Sequence, residues 1–296
     1  MSTASLALSG PRSNREVRDV HQVFSRVMIY LLVVLAISVI GFPIFWMVIC
    51  SFKPATELYA SPPTFLPHRW VLDNYIQLFA QTSFGAYFVN SLIVAFGTTF
   101  LSLAIGGFGA YSLSRFNFFG MRAFANVTLV VYMLPEVLIV IPLYIYVIQL
   151  GLADTLISLI VANTTFTLPL TLWFLRSYFN SVPASLEESA MIDGCTRLGA
   201  MRRVTLPLVL PGIVSVGVFS FNHAWNEFLF ALVFISSETK KTLPLGLATW
   251  IGQDNLYSWG MLLASAVLIT IPVVVFYLLV QHSLVSGLAD GATKGE

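Results

Sequence analysis

Six long stretches of this chain are nearly free of charge, and they limit its possible folds more than any other feature. A hydrocarbon core of about 30 Å takes about 20 helical residues to cross. Residues 27–50, 84–113, 156–175 and 259–280 hold no charged side chain. Residues 123–150 hold one, Glu136, and 208–236 hold one, Glu227, together with His223. A membrane β-barrel strand needs only about 9–11 residues, so runs of this length predict helices. The sequence therefore predicts an all-α membrane protein with six transmembrane helices. Composition agrees. Hydrophobic residues make up 57% of the chain and charged ones 10%, against about 25% charged in a soluble domain. That balance argues against a soluble enzyme, a nucleic-acid binder and a disordered scaffold, and the net charge of +1 implies no polyanionic partner.

Orientation follows from Lys and Arg in the connecting segments. With the N-terminus inside, Arg12, Arg15, Arg18, Arg26, Arg115, Arg122, Arg176, Arg197, Arg202, Arg203 and Lys294 face the cytoplasm. Lys53, Arg69, Lys240 and Lys241 face outward, so both termini are expected to be cytoplasmic. Residues 1–26 form a polar, basic N-terminal segment. The run at 27–50 exceeds the ~7–15-residue core of a signal peptide, so it is read as an uncleaved first span. The six-helix body is 27–280, with a long outer loop at 51–83, a polar inner loop at 176–206 and a tail at 281–296. Cys50 and Cys195 fall on opposite sides of the membrane and should not pair. His21, His68 and His282 are scattered and suggest no metal site.

Within the spans, Ser102, Gly106 and Ala110 recur every fourth residue. Such a small-residue face admits a closely packed helix, from this chain or from a second membrane subunit. Pro135, Pro142, Pro169 and Pro272 favour kinks. A carboxylate at mid-membrane costs roughly 2.5–3.5 kcal/mol, so Glu136 and Glu227 should face protein or water. They serve either a polar translocation path or a structural hydrogen bond. Around Glu227, helical spacing puts Asn222 and Asn226 on one face and His223 with Glu227 on the next, beside Trp225. Amides hydrogen-bond hydroxyls and an indole stacks on a sugar ring, so this group suits a polyhydroxylated solute.

The inner loop carries the densest signal. Ser185 and Glu188 fit a capping box, and Pro183 alternatively fits the first turn of a slightly longer helix. Gly194 ends that helix and Thr196 can cap another. Leu198, Met201 and Val204 form one apolar stripe at three-residue spacing. An exposed stripe here serves a docking surface or an amphipathic contact with lipid headgroups.

The loop also resembles a known pattern. Glu188-Ser189-Ala190, three residues, Gly194, nine residues, then Val204-x-Leu206-Pro207 is similar to the EAA loop of ABC importer permeases. Serine replaces the first alanine of E-A-A, valine replaces isoleucine, and Asp193-Gly194 resembles the family's D-G pair. Trp225-Asn226-Glu227-Phe228 and the ending Gly287-Leu288 through Lys294-Gly295 resemble the carbohydrate, MalG-like branch. The resemblance implies the type I importer permease fold and a place in the bacterial plasma membrane. It implies a non-catalytic subunit working with a second permease, two ATP-binding subunits and an extracytoplasmic solute-binding protein, importing a sugar or polyol. It implies that Glu188, Ser189, Ala190, Asp193, Gly194, Leu198 and Met201 couple to the ATPase. ATP and Mg would bind the partner, for the chain has no G-x-x-x-x-G-K-[ST] loop. Three rivals stand beside it. An ion-coupled secondary transporter would use Glu136 and Glu227. An intramembrane enzyme would rest on Ser220 with His223, but no nucleophile elbow surrounds that serine and no H-E-x-x-H motif is present. An ABC importer of amino acids or peptides would share the loop.

Overall fold

The computed structural model describes residues 13–116, 119–252 and 259–292. The first part of the N-terminal segment, with Arg12, and the end of the tail, with Lys294 and Gly295, lie outside the described residues. Among the described residues every regular element is helical. In chain order these are α1 (Ser13–Ser51), α2 (Ala55–Leu58), α3 (Asp73–Gln81), α4 (Phe84–Arg115), α5 (Met121–Tyr132), α6 (Glu136–Gln149) and α7 (Leu156–Ser181). There follow α8 (Ala184–Ile192), α9 (Arg197–Ala200), α10 (Leu206–Asn226), α11 (Leu229–Phe234), α12 (Leu243–Gly252) and α13 (Trp259–Ala292). A π-turn, Met201–Thr205, joins α9 to α10.

Among the described residues, five helical stretches are long and apolar enough to cross a membrane: Arg26–Ser51, Phe84–Arg115, Leu156–Ser181, Arg197–Asn226 and Trp259–Gln281. The run at 123–150 was expected as a sixth continuous helix and is instead divided into α5 and α6. Pro135 explains the division. It lacks an N–H and drives Leu134 away from helical angles, so the helix stops at Tyr132 and restarts at Glu136. The run at 208–236 is likewise interrupted, after Asn226. Pro43, Pro142, Pro169, Pro211 and Pro272 lie inside helices that continue past them.

The small-residue face of α4 meets α7 of the same chain. Ser102 Oγ and Thr167 Oγ1 are 2.5 Å apart, and a β-carbon at Gly106 would collide with the Thr171 side chain. One at Gly109 would come within 2.6 Å of Leu172 Cδ2. Below this contact, Ala110, Leu172, Leu175 and Phe179 form a core with Met201 and Val209. α10 closes on the same pair. Gly212 sits directly against the ring of Tyr178. A second core joins α4, α10 and α13 through Tyr87, Phe221, Trp225 and Ala264. A third lies under α6, α7 and α11, around Phe166, Phe230 and Phe234.

The segment at 51–83 is folded onto the bundle. The buried Asn74 amide donates to the carbonyls of Ser51 (2.8 Å) and Lys53 (2.9 Å). Lys53 is buried too, with Nζ bonded to the Thr64 carbonyl and 4.6 Å from the centroid of Trp46. The segment after Ile235 holds the apolar helix α12, whose Trp250 packs against Tyr87. By contrast α1 shows its large apolar side chains outward from Val27 to Phe45. Such a face is stable against hydrocarbon and not against water. Cys50 and Cys195 are both free.

The α4–α7 contact yields the first prediction. Thr171 is β-branched and stiff in a helix, so it cannot swing aside for a side chain at Gly106. Gly106→Leu should destabilise the fold by about 1–3 kcal/mol, the usual cost of overpacking. Thermal unfolding in detergent checks this, and Gly107→Leu, at a position with open space, should change little.

Candidate functional site

Two groups of residues stand out, one at the polar loop and one at the helix interruptions. The loop is built as the sequence suggests in most of its turns. α8 starts at Ala184 with Pro183 as its N-cap residue, so the Ser185–Glu188 capping box does not form and Pro183 stands one position outside the first turn expected for it. Gly194 ends α8 with φ +93°, a left-handed conformation that glycine adopts without strain. The Thr196 hydroxyl then accepts the Gly199 N–H at 3.1 Å and caps α9.

The apolar stripe is broken. Leu198 is 63% exposed, Val204 is half-buried, and Met201 is 6% exposed, turned into the core beside Phe179. The cause is the π-turn Met201–Thr205, whose i→i+5 bonding alters the angular spacing on which the stripe depended. Outward on the loop are Leu186, Ile192 (86% exposed) and Leu198, among Glu188, Ser189, Asp193 and Gly194; Ala190 is half-buried.

The residue that anchors this loop is Glu187, which sequence reasoning passed over in favour of its neighbour. Its side chain is 5% exposed. Oε1 accepts from Arg115 Nε at 2.7 Å and from Thr205 Oγ1 at 2.6 Å, and Oε2 accepts from the Tyr111 hydroxyl at 2.8 Å. Arg115 also donates to the Val182 carbonyl at 3.0 Å. Burial pushes the Glu187 carboxyl up, but the bonds from Thr205, Arg115 and Tyr111 outweigh it and leave the pKa below the ordinary glutamate value. The one available signal was position. On α8, Glu187 stands next to Glu188 and therefore about 100° away, facing the bundle while Glu188 faces out.

At the interruptions, α10 ends at Asn226 and α11 begins at Leu229. The Glu227 carboxylate turns forward and accepts the backbone N–H groups of Phe230 (2.5 Å) and Ala231 (3.2 Å). It thus satisfies the first donors of α11, where a negative charge is favoured. Glu136, at the start of α6, lies 3.7 Å from His223 Nε2 and near enough to Glu227 for the two charges to act on each other. Asn226 donates to the Asn222 carbonyl at 2.8 Å and to its side-chain oxygen at 3.1 Å, and both amides are exposed. Trp225 does not join them. It is 1% exposed, stacked on Phe221 at 5.6 Å and edge-on to Phe88 at 5.8 Å, on the core side of α10. Ser220 is fully buried without a hydrogen-bond partner, and His223 faces Glu136 rather than that hydroxyl. Ser220 and His223 therefore do not form a catalytic pair, and the described residues hold no group of three or more metal-ligating side chains.

Asp154 is a third feature the sequence reading missed. In a left-handed turn (φ +54°) between α6 and α7, it accepts from the N–H groups of Ser236 and Ser237, from the Ser237 hydroxyl, and from Lys240 Nζ at 2.9 Å. These bonds, led by those from Ser237, hold its carboxyl far below the usual range. The strap ties the start of α7 to the end of α11.

Long apolar helices, two interruptions that each carry a carboxylate, and a short helix clamped to one end of the bundle define a multi-pass helical membrane protein of the transport class. Residues 102–288 match the family described as "Binding-protein-dependent transport system inner membrane component". The chain belongs to that family, the non-catalytic permease subunits of ABC transporters. It is 38% identical to the inner membrane ABC transporter permease protein YcjP of Escherichia coli, over 92% of this chain and 97% of that one. It is 35% identical to the trehalose/maltose transport system permease protein MalG of Thermococcus litoralis, over 93% and 99%. Its fold is similar to a chain of a bacterial ABC transporter involved in the import of the acidic polysaccharide alginate. There the TM-score is 0.72 at 23% identity, with 94% of this chain and 100% of that chain covered.

The carboxylates set the acid limb of stability. Both Asp154 and Glu187 have folded-state pKa values below their unfolded ones. Their contribution is therefore fully present above the unfolded values, about 3.9 and 4.3, and is lost as pH falls through the folded values. In detergent, the melting temperature should lose this contribution only below about pH 4. Asp154→Asn should lower it at pH 7 and flatten its acid dependence, whereas an unchanged slope would contradict the strap.

Proposed function

We propose that the chain is a transmembrane subunit of an ATP-driven, binding-protein-dependent importer of a sugar, oligosaccharide or polyol. The observation that carries this is the loop at 176–206. Its Glu188-to-Pro207 spacing matches the EAA pattern, and its short helix stands at the end of the bundle with Glu188, Ser189, Ile192 and Leu198 outward. In this reading the loop is cytoplasmic, both termini are cytoplasmic, and the protein sits in the bacterial plasma membrane. α8 docks in a cleft of an ATPase subunit, with Glu188 making a charged contact and the apolar tips of Leu186, Ile192 and Leu198 filling the joint. Asp193-Gly194 sets the turn, and Ala190 and Met201 support it from the bundle side. Closure of two ATPase subunits on ATP and Mg then moves the loops of this chain and of a second permease. Different contacts in the two states are what allow ATP to shift the equilibrium.

The solute path runs past the interruptions. There the helices expose Asn222 and Asn226, set Glu136 3.7 Å from His223 Nε2 and place Glu227 within reach of the Glu136 charge. Amides and carboxylates suit the hydroxyl groups of a sugar, which both donate and accept hydrogen bonds. Trp225 contributes as the core support of that helix end rather than as a stacking surface. The named sugars of relatives such as the Thermococcus trehalose/maltose permease support the sugar class. A solute-binding protein delivers the sugar to the outer segments. The ion-coupled alternative would use the same carboxylates but leaves the loop spacing without a purpose.

Two outcomes test this reading. With the whole complex in liposomes and a panel of labelled di- and oligosaccharides, Gly194→Val should cut uptake by at least about tenfold, since the strained turn displaces α8 and a coupling energy of 1–3 kcal/mol is at stake. Wild-type uptake would oppose the assignment. Cysteines placed at 136 and 226 should react with a membrane-impermeant maleimide at rates that depend on bound nucleotide. Lack of reaction in every nucleotide state would remove these residues from the path.

A further inference from the structure

We propose that Glu187 and Arg115 form the joint that passes movement of the loop helix α8 into the bundle, with Tyr111 and Thr205 holding it. Glu187 is a positioning residue in this scheme. The inference rests on the reading that α8 receives motion from an ATPase subunit.

The case begins with how α8 is attached. Along the chain it is bounded by two turns, Val182-Pro183 on one side and left-handed Gly194 on the other. Backbone links of this kind let a nine-residue helix swing. Most of α8 is turned outward: Ala184, Ser185, Leu186, Glu188 and Ser189 are exposed, and Glu187 alone is deeply buried. That carboxylate is bonded to Arg115 and Tyr111 at the end of α4 and to Thr205 at the foot of α10. Arg115 reaches on to the Val182 carbonyl at the end of α7. One buried ion pair thus binds α4, the α7 terminus, α8 and the base of α10.

The chemistry suits a force-bearing link. Apolar contacts are non-directional and can slide over one another. Hydrogen bonds to charged groups are short and directional, and they are strongest when removed from water. Burying an ion pair gains little over apolar packing of the same volume, so fold stability gives no strong reason to place one here. Tyr111 and Val182, which bond this pair, also belong to an apolar core with Phe179 and Met201, so apolar packing is available here. A charge pair at the meeting point of four segments makes them move together. Glu188, one residue on, faces outward, so the two adjacent glutamates divide the work between partner contact and bundle contact.

The test uses the whole complex in liposomes with Cys195→Ser and a reporter cysteine, Phe228→Cys, at the interruption beyond α10. The probe is a membrane-impermeant maleimide, applied without nucleotide and with ATP plus vanadate. Three quantities are read: co-purification of the ATPase subunits, ATP turnover, and the ratio of labelling rates in the two states. The unaltered joint should give a ratio of at least about fivefold, as for ordinary allosteric coupling. Glu187→Gln should keep co-purification and keep turnover within about twofold while the ratio collapses toward one. Thr205→Val, which removes one bond and keeps the ion pair, should give a partial loss in the same direction.

A full ratio in Glu187→Gln would overturn the proposal. So would a proportional fall of all three quantities in both variants, which is what a merely structural residue produces. Failure of the underlying reading looks different: the complex with the joint intact would then bind no ATPase subunit or show no nucleotide-dependent labelling, and the joint would fall with it.

Discussion

Hydrocarbon offers no hydrogen bonds, and each unsatisfied backbone group there costs several kcal/mol. This constraint shapes the described structure. It confines regular elements to helices and requires each interruption to be closed by a side chain or water. At the α10–α11 interruption Glu227 supplies the missing acceptor for two N–H groups. At the start of α7 the Thr155 hydroxyl accepts the Ser158 N–H. At α6 the preceding Pro135 has no N–H to satisfy. The interruptions are therefore built features, and they are where polar side chains reach the interior of an otherwise apolar bundle.

The same constraint explains why the centre of the bundle is tight. α4 and α7 approach over Ser102, Gly106 and Gly109, and α10 approaches over Gly212. Lipid supplies no hydrophobic drive between helices, so close packing of small residues and a few polar contacts have to do this. A tightly packed set of three helices responds as a unit. Packed interiors have low compressibility, so a displacement at one end of such a set is expected to pass along the helices rather than be absorbed. In the proposed mechanism that rigidity is what connects the loop end, where Glu187 is held, to the interruptions that carry Glu136 and Glu227.

Much of this was legible in the sequence, and the failures have physical causes. Uninterrupted apolar runs identified α1, α4, α7 and α13 because length and hydropathy are enough to define a span. Gly194 and Thr196 announced the loop turns because a left-handed cap and a hydroxyl N-cap each depend on one residue type. Hydropathy could not see the division of 123–150, since α5 and α6 are both apolar; only Pro135 marked it. The stripe of Leu198, Met201 and Val204 failed because a π-turn changes the residue spacing locally. Trp225 looked like a ligand stack and proved to be core, since a ring beside polar residues on a helix can turn either way. Glu187 and Asp154 were invisible because their partners lie far along the chain, at Tyr111, Arg115 and Thr205 for one and at Ser236, Ser237 and Lys240 for the other.

The central claim is that movement in this membrane subunit is driven through its loop by a separate nucleotide-binding partner. Reconstitution tests it most directly. Sugar uptake is measured in liposomes holding this chain alone, then with its second permease, ATPase subunits and solute-binding protein. The account predicts no uptake by the chain alone under any ion gradient, and ATP-dependent uptake by the full set. Uptake by the chain alone, driven by a proton or sodium gradient, would contradict it.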